Sequence, residues 1–173
     1  MHIESVLRSD AFWNNHSLNS EASYRYEMIQ DFSFEKILVP YNATTGAERG
    51  LKASIEFAKK TDGEIILITC VEDQSVLSFF KKSKNEKFEE QKKIIEKELK
   101  RIESENKELA RPIRHVVLKS SFVPETIIDY AEKKQIDLVI IGQTKIRHAE
   151  KKYHQSMANY LLQGLTCPLL VVK

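Results

Sequence analysis

Five short apolar runs alternate with segments of helical spacing, and this alternation constrains the fold more than any other feature of the 173-residue chain. The runs are Ile37-Leu38-Val39-Pro40, Glu64-Ile65-Ile66-Leu67-Ile68-Thr69-Cys70, His115-Val116-Val117-Leu118, Asp137-Leu138-Val139-Ile140-Ile141-Gly142 and Leu169-Leu170-Val171-Val172. They are too short for helices and rich in Ile, Val and Leu, without the polar alternation of a half-solvated strand. Strands of that kind are covered on both faces. The order β-α-β-α-β-α-β-α-β therefore predicts an α/β fold, a parallel sheet sandwiched between helices, and right-handed crossovers leave few topologies.

The intervening segments carry their own signals. Residues 46 to 60 place Ala47, Leu51, Ala53 or Ser54, Ile55 and Ala58 at helical spacing, and Thr61-Asp62-Gly63 is expected to end that helix. From about 78 to 109 the chain is dense in Lys and Glu, with Phe88, Ile95, Leu99, Ile102 and Leu109 near one stripe. Glu89 with Lys93, and Glu96 with Lys100, stand in the favourable i,i+4 order. This charge run reads as a solvated helix face, with a docking helix as the alternative. Pro124 suits the first turn of a helix carrying Ile127, Ile128 and Ala131. Met157 to Gln163 form the last helix, which Gly164 is expected to end.

Residues 1 to 33 keep no period. They read either as a partly ordered N-terminal tail or as an arm that packs Phe12, Trp13, Tyr24 and Tyr26 on a partner subunit. Residues 34 to 173 form the domain. Lys plus Arg number 27 against 25 Asp plus Glu, a balance too even to argue for nucleic acid or an acidic membrane. No apolar run approaches the ~18 residues of a membrane helix, and Met1 to Arg8 lack the pattern of a secretory signal. A cytoplasmic protein is expected. Cys70 and Cys167 have no metal-like spacing and are expected as reduced thiols. His115 reads as a packed or edge histidine rather than a ligand.

The chemistry-bearing stretch follows the fourth run. Gly142 leads into a loop with Lys145, Arg147, His148, Glu150, Lys151, Lys152 and His154, and then Gln155-Ser156 opens a helix. The carboxyl end of a strand in an open α/β sheet is where ligands sit. A helix start adds unpaired N–H groups and positive dipole, which suit phosphate. The loop reads either as a solvated basic loop or as a phosphate site. A nucleic-acid surface is disfavoured, since only Tyr153 offers a stacking ring. Ser156 reads as an N-cap alone, or as a cap that also meets a phosphate.

Residues 34 to 173 resemble the universal stress protein family. Lys36-Ile37-Leu38-Val39-Pro40-Tyr41-Asn42 is similar to its first strand and loop, Asp137 to Gly142 to its fourth strand, and Ser156 to Leu162 with Cys167 to Val172 to its last helix and strand. The resemblance implies a five-stranded parallel sheet of order 3-2-1-4-5, adenine nucleotide alpha hydrolase-like, and a homodimer. It also implies ATP or AMP as ligand in many members, with Mg2+ only where ATP binds. The implied ligand positions are Pro40, Tyr41, Asn42, Ala43, Thr44, Cys70, Val71, Gly142, Lys145, Gln155 and Ser156. Gly142 matches the first glycine of the family's nucleotide motif and Ser156 its hydroxyl, but Lys145 and Gln155 replace the other two glycines. Asn42 stands where the family offers an aspartate, and Phe122 where it often has a glycine. Asn42 is expected to retain an acceptor, its carbonyl oxygen.

Glycine serves phosphate loops by allowing positive φ and close approach of backbone amides. Lysine in their place offers a point charge without fixed geometry. No Walker loop, nucleophile elbow or His-Glu-x-x-His is present. A dedicated enzyme is not expected, and slow ATP hydrolysis is left open. Two readings stand: a nucleotide-responsive stress protein with a degenerate site, or a dimeric adaptor that has lost the ligand. In both, Leu169-Leu170-Val171-Val172 is an edge strand expected to pair across a homodimer two-fold.

Overall fold

β-Branched and leucine side chains at the centre of the first run have no face turned to water, and the architecture follows from covering them. A computed structural model of the chain describes residues 34–72, 84–143 and 156–173. The strands are β1 (Lys36–Pro40), β2 (Glu64–Glu72), β3 (Arg114–Ser120), β4 (Leu138–Gly142) and β5 (Leu169–Val172). They form one sheet of order β3-β2-β1-β4-β5, all neighbours parallel. The helices are α1 (Thr45–Thr61), α2 (Lys84–Glu105), α3 (Val123–Lys134) and α4 (Met157–Gly164). The predicted fold class and strand order are those observed. The tail 1–33 and the basic segment with Lys145 and Gln155 lie outside the described residues.

Alternation along each strand divides the interior into two cores. Ile37, Val39, Ile65 and Leu67 pack with Ala47, Leu51 and Ala58 of α1 and with Leu99 and Ile102 of α2. Leu38, Ile66, Ile68, Val139 and Ile141 face the other way, onto Ile127 and Ala131 of α3 and Leu161 of α4. Each fully buried side chain of this size contributes about 1.5–3 kcal/mol. The start of the β1–β4 pair is tied by Asp137, whose carboxylate accepts the Lys36 N–H at 2.8 Å while its own N–H donates to the Lys36 carbonyl at 3.0 Å. Asp137 thus precedes β4 rather than opening it.

Helix ends depart from the expected pattern in instructive ways. α1 ends with Asp62 in the left-handed region (φ 53°), so Gly63 is not the left-handed cap. Gly63 is required for close approach instead: a Cβ there would stand 2.5 Å from the Phe34 carbonyl oxygen and 2.8 Å from Ile37 Cδ1. α2 stops at Glu105, short of the expected 109. There Asn106 turns its side chain back, Nδ2 donating to the Ile102 carbonyl at 2.8 Å, and satisfies a carbonyl that continued helix would otherwise claim. On the exposed face Glu96 reaches Lys92 at 3.9 Å, and Arg101 bridges Glu98 and Glu105. His115 does not stand alone on β3: its Nδ1 lies 2.5 Å from Glu103 Oε1, a partly buried link to α2.

Pro124 occupies the first turn of α3, as its spacing suggests, and Gln135 closes the helix in left-handed geometry (φ 52°) with its N–H on the Ala131 and Glu132 carbonyls. A side chain with Cβ costs about 1–2 kcal/mol in that region. Gln135→Gly is therefore expected to raise unfolding free energy by about 1 kcal/mol, measured as a higher urea midpoint at unchanged m-value.

Candidate functional site

The strand order turns at one place. β1 leads outward to β2 and β3 on one side, whereas β4 and β5 continue on the other, so helices depart to opposite faces between the carboxyl ends of β1 and β4. An α/β sheet forms its crevice at such a switch point. Two helix starts flank it. Thr44 caps α1, its Oγ1 accepting the Ala47 N–H at 3.3 Å. Ser156 caps α4, its Oγ accepting the Asn159 N–H at 3.4 Å. Both helices thus present their positive ends at this edge of the sheet.

Between β1 and α1 the chain makes a tight turn. The side-chain amide oxygen of Asn42, Oδ1, accepts from Thr44 Oγ1 at 2.8 Å and from the Thr44 N–H at 3.4 Å. Ala43 sits in the left-handed region (φ 56°), a conformation that L side chains disfavour. Asn42 and Ala43 are exposed. The expected acceptor of Asn42 is therefore engaged within its own turn.

Tyr41 turns away from the crevice. Its ring is buried in the α1–α2 core, and its hydroxyl hydrogen-bonds the Glu48 carboxylate. Burial, then the Glu48 hydrogen bond and charge, push the phenol well above its ordinary range. Its backbone is engaged as well: the N–H donates to the Ile68 carbonyl at 2.9 Å, and the carbonyl accepts Thr69 Oγ1 at 2.7 Å. Pro40 ends β1 and is half-buried. Cys70 and Val71, near the end of β2, are half-buried, and Cys70 packs on the α3–α4 side. Burial raises the Cys70 thiol to about 11, so at neutral pH it is an inert, partly covered thiol. It is free, as is Cys167.

Gly142 is held by α1. A Cβ at Gly142 would fall 1.6 Å from the Gly46 carbonyl oxygen and 2.9 Å from the Gly50 nitrogen. Conversely, a Cβ on Gly50 would stand 2.8 Å from the Gly142 nitrogen. Helix backbone and strand backbone touch here, and no side chain fits between them. Arg49, one residue from that contact, donates from Nη2 to the Gln143 carbonyl at 2.5 Å, and the Gln143 N–H donates to the Val172 carbonyl at 2.7 Å. The exit of β4 is fixed from both sides. Arg49 Nε is buried without a partner among the described residues.

Phe122 stands at the N-cap of α3, and its ring meets Tyr160 of α4 edge-on, with centroids 5.2 Å apart. Next to it Ser120 Oγ and Thr126 Oγ1 are 2.8 Å apart. Among the described residues no cluster of His, Cys, Asp or Glu could hold a metal ion.

The structure thus gathers Pro40, Asn42, Ala43, Thr44, Gly142 and Ser156 around the switch point. It turns the Tyr41 side chain away. The sequence reading missed Thr69, Arg49, Gly46 and Gly50. Of these only the glycine pair had a signal, since a spacing of four puts both on one face of a helix.

Comparison with known proteins agrees with this architecture. A profile of the universal stress protein family matches residues 33–173. Universal stress protein MJ0531 of Methanocaldococcus jannaschii is 27% identical over 141 residues, covering 81% of this chain and 82% of its own. The structure of universal stress protein UspA from Lactobacillus plantarum superposes with a TM-score of 0.65 at 17% identity, covering 81% of this chain and 98% of that one. That of the universal stress protein from Archaeoglobus fulgidus in complex with dAMP gives 0.54 at 16% identity, covering 82% and 99%.

The packing of Gly142 yields a test that needs no ligand. Gly142→Ala is expected to destabilise the apo protein by about 3 kcal/mol or more, because backbone must move on both sides. A thermal midpoint within a degree or two of wild type would show that α1 does not press on β4.

Proposed function

Starting from the fact that the chain belongs to the universal stress protein family, we propose that it is a non-catalytic, nucleotide-responsive stress protein of the cytoplasm. Its ligand, a nucleotide such as ATP or AMP, would sit at the carboxyl ends of β1 and β4. The observation that carries this reading is the pair of capped helix starts, Thr44 and Ser156, facing one switch point. Donor N–H groups and two dipoles at one crevice favour an anion. The complex of a structural relative with dAMP supports the ligand class.

In this proposal Ser156 and the α4 start take the phosphate, and Lys145 adds a point charge where a glycine amide is lost. Pro40, Asn42, Ala43, Thr44, Cys70, Val71, Gly142 and Gln155 border the ligand. Tyr41 serves the site only by holding the turn in place. Mg2+ enters only with ATP. Calorimetric titration of the nucleotide-stripped protein with ATP and AMP at two salt concentrations tests the reading. Binding that weakens with salt is expected, with Ser156→Ala and Lys145→Glu each lowering affinity about tenfold, as for a lost charge-assisted hydrogen bond. Absence of heat and of thermal stabilisation at millimolar nucleotide would sink it.

A second reading, a ligand-free dimeric adaptor, is favoured by one specific observation. Gly142 is demanded by α1 packing, so its retention is no evidence of a ligand. Both readings share a homodimer through β5. This strand is bonded to β4 on one side only, and Leu170 and Val171 are 39% and 37% exposed. An apolar edge is a pairing surface unless something covers it. Val171→Glu would bring like charges together near a two-fold. Sedimentation is expected to show a wild-type dimer and a variant dissociating at least about tenfold more readily. A wild-type monomer at micromolar concentration would remove the dimer from both readings.

A further inference from the structure

α1, α3 and α4 all start at the carboxyl edge of the sheet, and their starts are not alike. Hydroxyls cap α1 and α4, those of Thr44 and Ser156. α3 is capped by Phe122, which makes no side-chain hydrogen bond there. Its first turn holds Pro124, which has no N–H to donate, and Glu125, an exposed carboxylate. With few donors and a like charge, this start repels a phosphate. The first turn of α4 has no acidic residue. The Phe122 ring nevertheless reaches across to α4. It meets the Tyr160 ring edge-on, with centroids 5.2 Å apart and planes at 82°. The Tyr160 N–H donates to the Ser156 carbonyl at 3.3 Å, one turn along α4. A helical side chain leans back over the turn before it, so the Tyr160 ring lies toward Ser156. The backbone beneath the Phe122 ring is fixed. Its carbonyl accepts the Thr126 N–H and Thr126 Oγ1, each at 3.2 Å, and the buried Ser120 hydroxyl stands 2.8 Å from Thr126 Oγ1. Phe122 still keeps 44% of its surface exposed.

We infer that Phe122 is a size-selecting residue: with Tyr160 it walls the α3 side of the phosphate position at Ser156, and so limits the bulk that a phosphate-bearing ligand can carry on that side. The inference rests on the nucleotide reading above and adds a residue which that reading leaves unused. Geometry decides between a wall and a stacking platform. A planar group slots between parallel faces, and crossed rings 5.2 Å apart leave no such slot. The phenyl ring also offers a ligand no donor or acceptor. A group attached to the phosphate on this side must therefore displace the ring and break its pairing with Tyr160. A ligand that is phosphate alone meets no such penalty.

Phe122→Gly isolates the effect, because the hydrogen bonds of this turn are made by the Phe122 backbone and survive the change. Glycine is accepted at a helix N-cap. Phe122→Trp changes the bulk in the opposite sense, and thermal unfolding checks that both variants are folded. The experiment is calorimetric titration of the full chain and both variants with AMP and with inorganic pyrophosphate. Phe122→Gly is expected to bind AMP about tenfold more tightly than wild type, and Phe122→Trp about tenfold less tightly. Pyrophosphate affinity is expected to stay within about twofold across the three proteins. AMP affinity unmoved by both changes, or pyrophosphate affinity that moves with it, would overturn the inference while leaving the nucleotide site standing. Weaker AMP binding by Phe122→Gly would overturn it too, since the ring would then hold the ligand rather than exclude it. AMP binding by Phe122→Gly alone would overturn the nucleotide reading of the native chain and uphold the wall. No AMP binding by any of the three at millimolar concentration would overturn both.

Discussion

Backbone contact between α1 and β4 is the constraint on which the rest of this structure depends. Gly142 meets the Gly46 carbonyl and the Gly50 nitrogen with no space for a methyl group. That approach sets the depth at which α1 lies on the sheet, and so where its capped start emerges beside the crevice. It also fixes where β4 releases the chain. Arg49 reinforces it on the Gln143 carbonyl, and the Val172 carbonyl holds the same residue from the sheet edge. A helix start can serve as an anion site only when its position is rigid, and here backbone against backbone supplies the rigidity.

The contact also changes the meaning of a motif. In a sequence, a glycine after the fourth strand of such a sheet reads as a phosphate-loop residue. In the fold, that glycine is fully explained by helix packing. Its presence is compatible with a ligand and demands none. The weight of the functional reading falls instead on Ser156, Thr44 and Asn42, whose hydrogen bonds shape the edge of the crevice. The same hydrogen bonds engage the expected acceptor of Asn42, because Thr44 occupies its oxygen.

How much was legible differs between scaffold and site. Ile37 to Pro40 and Leu138 to Gly142 announce buried strands because every position is apolar, and such a run needs no knowledge of its neighbours. Pro124 announced a helix start for the same local reason. Helix ends were less readable. Asp62 and Gln135 adopt left-handed caps that are usually glycine, and Asn106 ends α2 with a side-chain hydrogen bond. In the site, Tyr41 looked like a ligand neighbour because it follows β1, yet its ring and backbone serve the α1–α2 core, Thr69 and Ile68. Phe122, an unexplained bulky residue in sequence, is half of an aromatic pair with Tyr160.

The sequence by itself determined the element order, the two-faced cover of the strands and the family, because these follow from hydrophobic periodicity and short local motifs. Strand direction and right-handed crossovers then left little freedom in the topology. The tertiary structure decided what the individual site residues do. Gly142 and Gly46 are nearly a hundred residues apart, and only folding shows that they exclude a methyl group between them. The orientation of the Asn42 amide depends on which donor stands beside it once α1 is capped. Periodicity is written in the chain one turn or one pleat at a time, whereas close approach and donor–acceptor pairing exist only after distant segments meet.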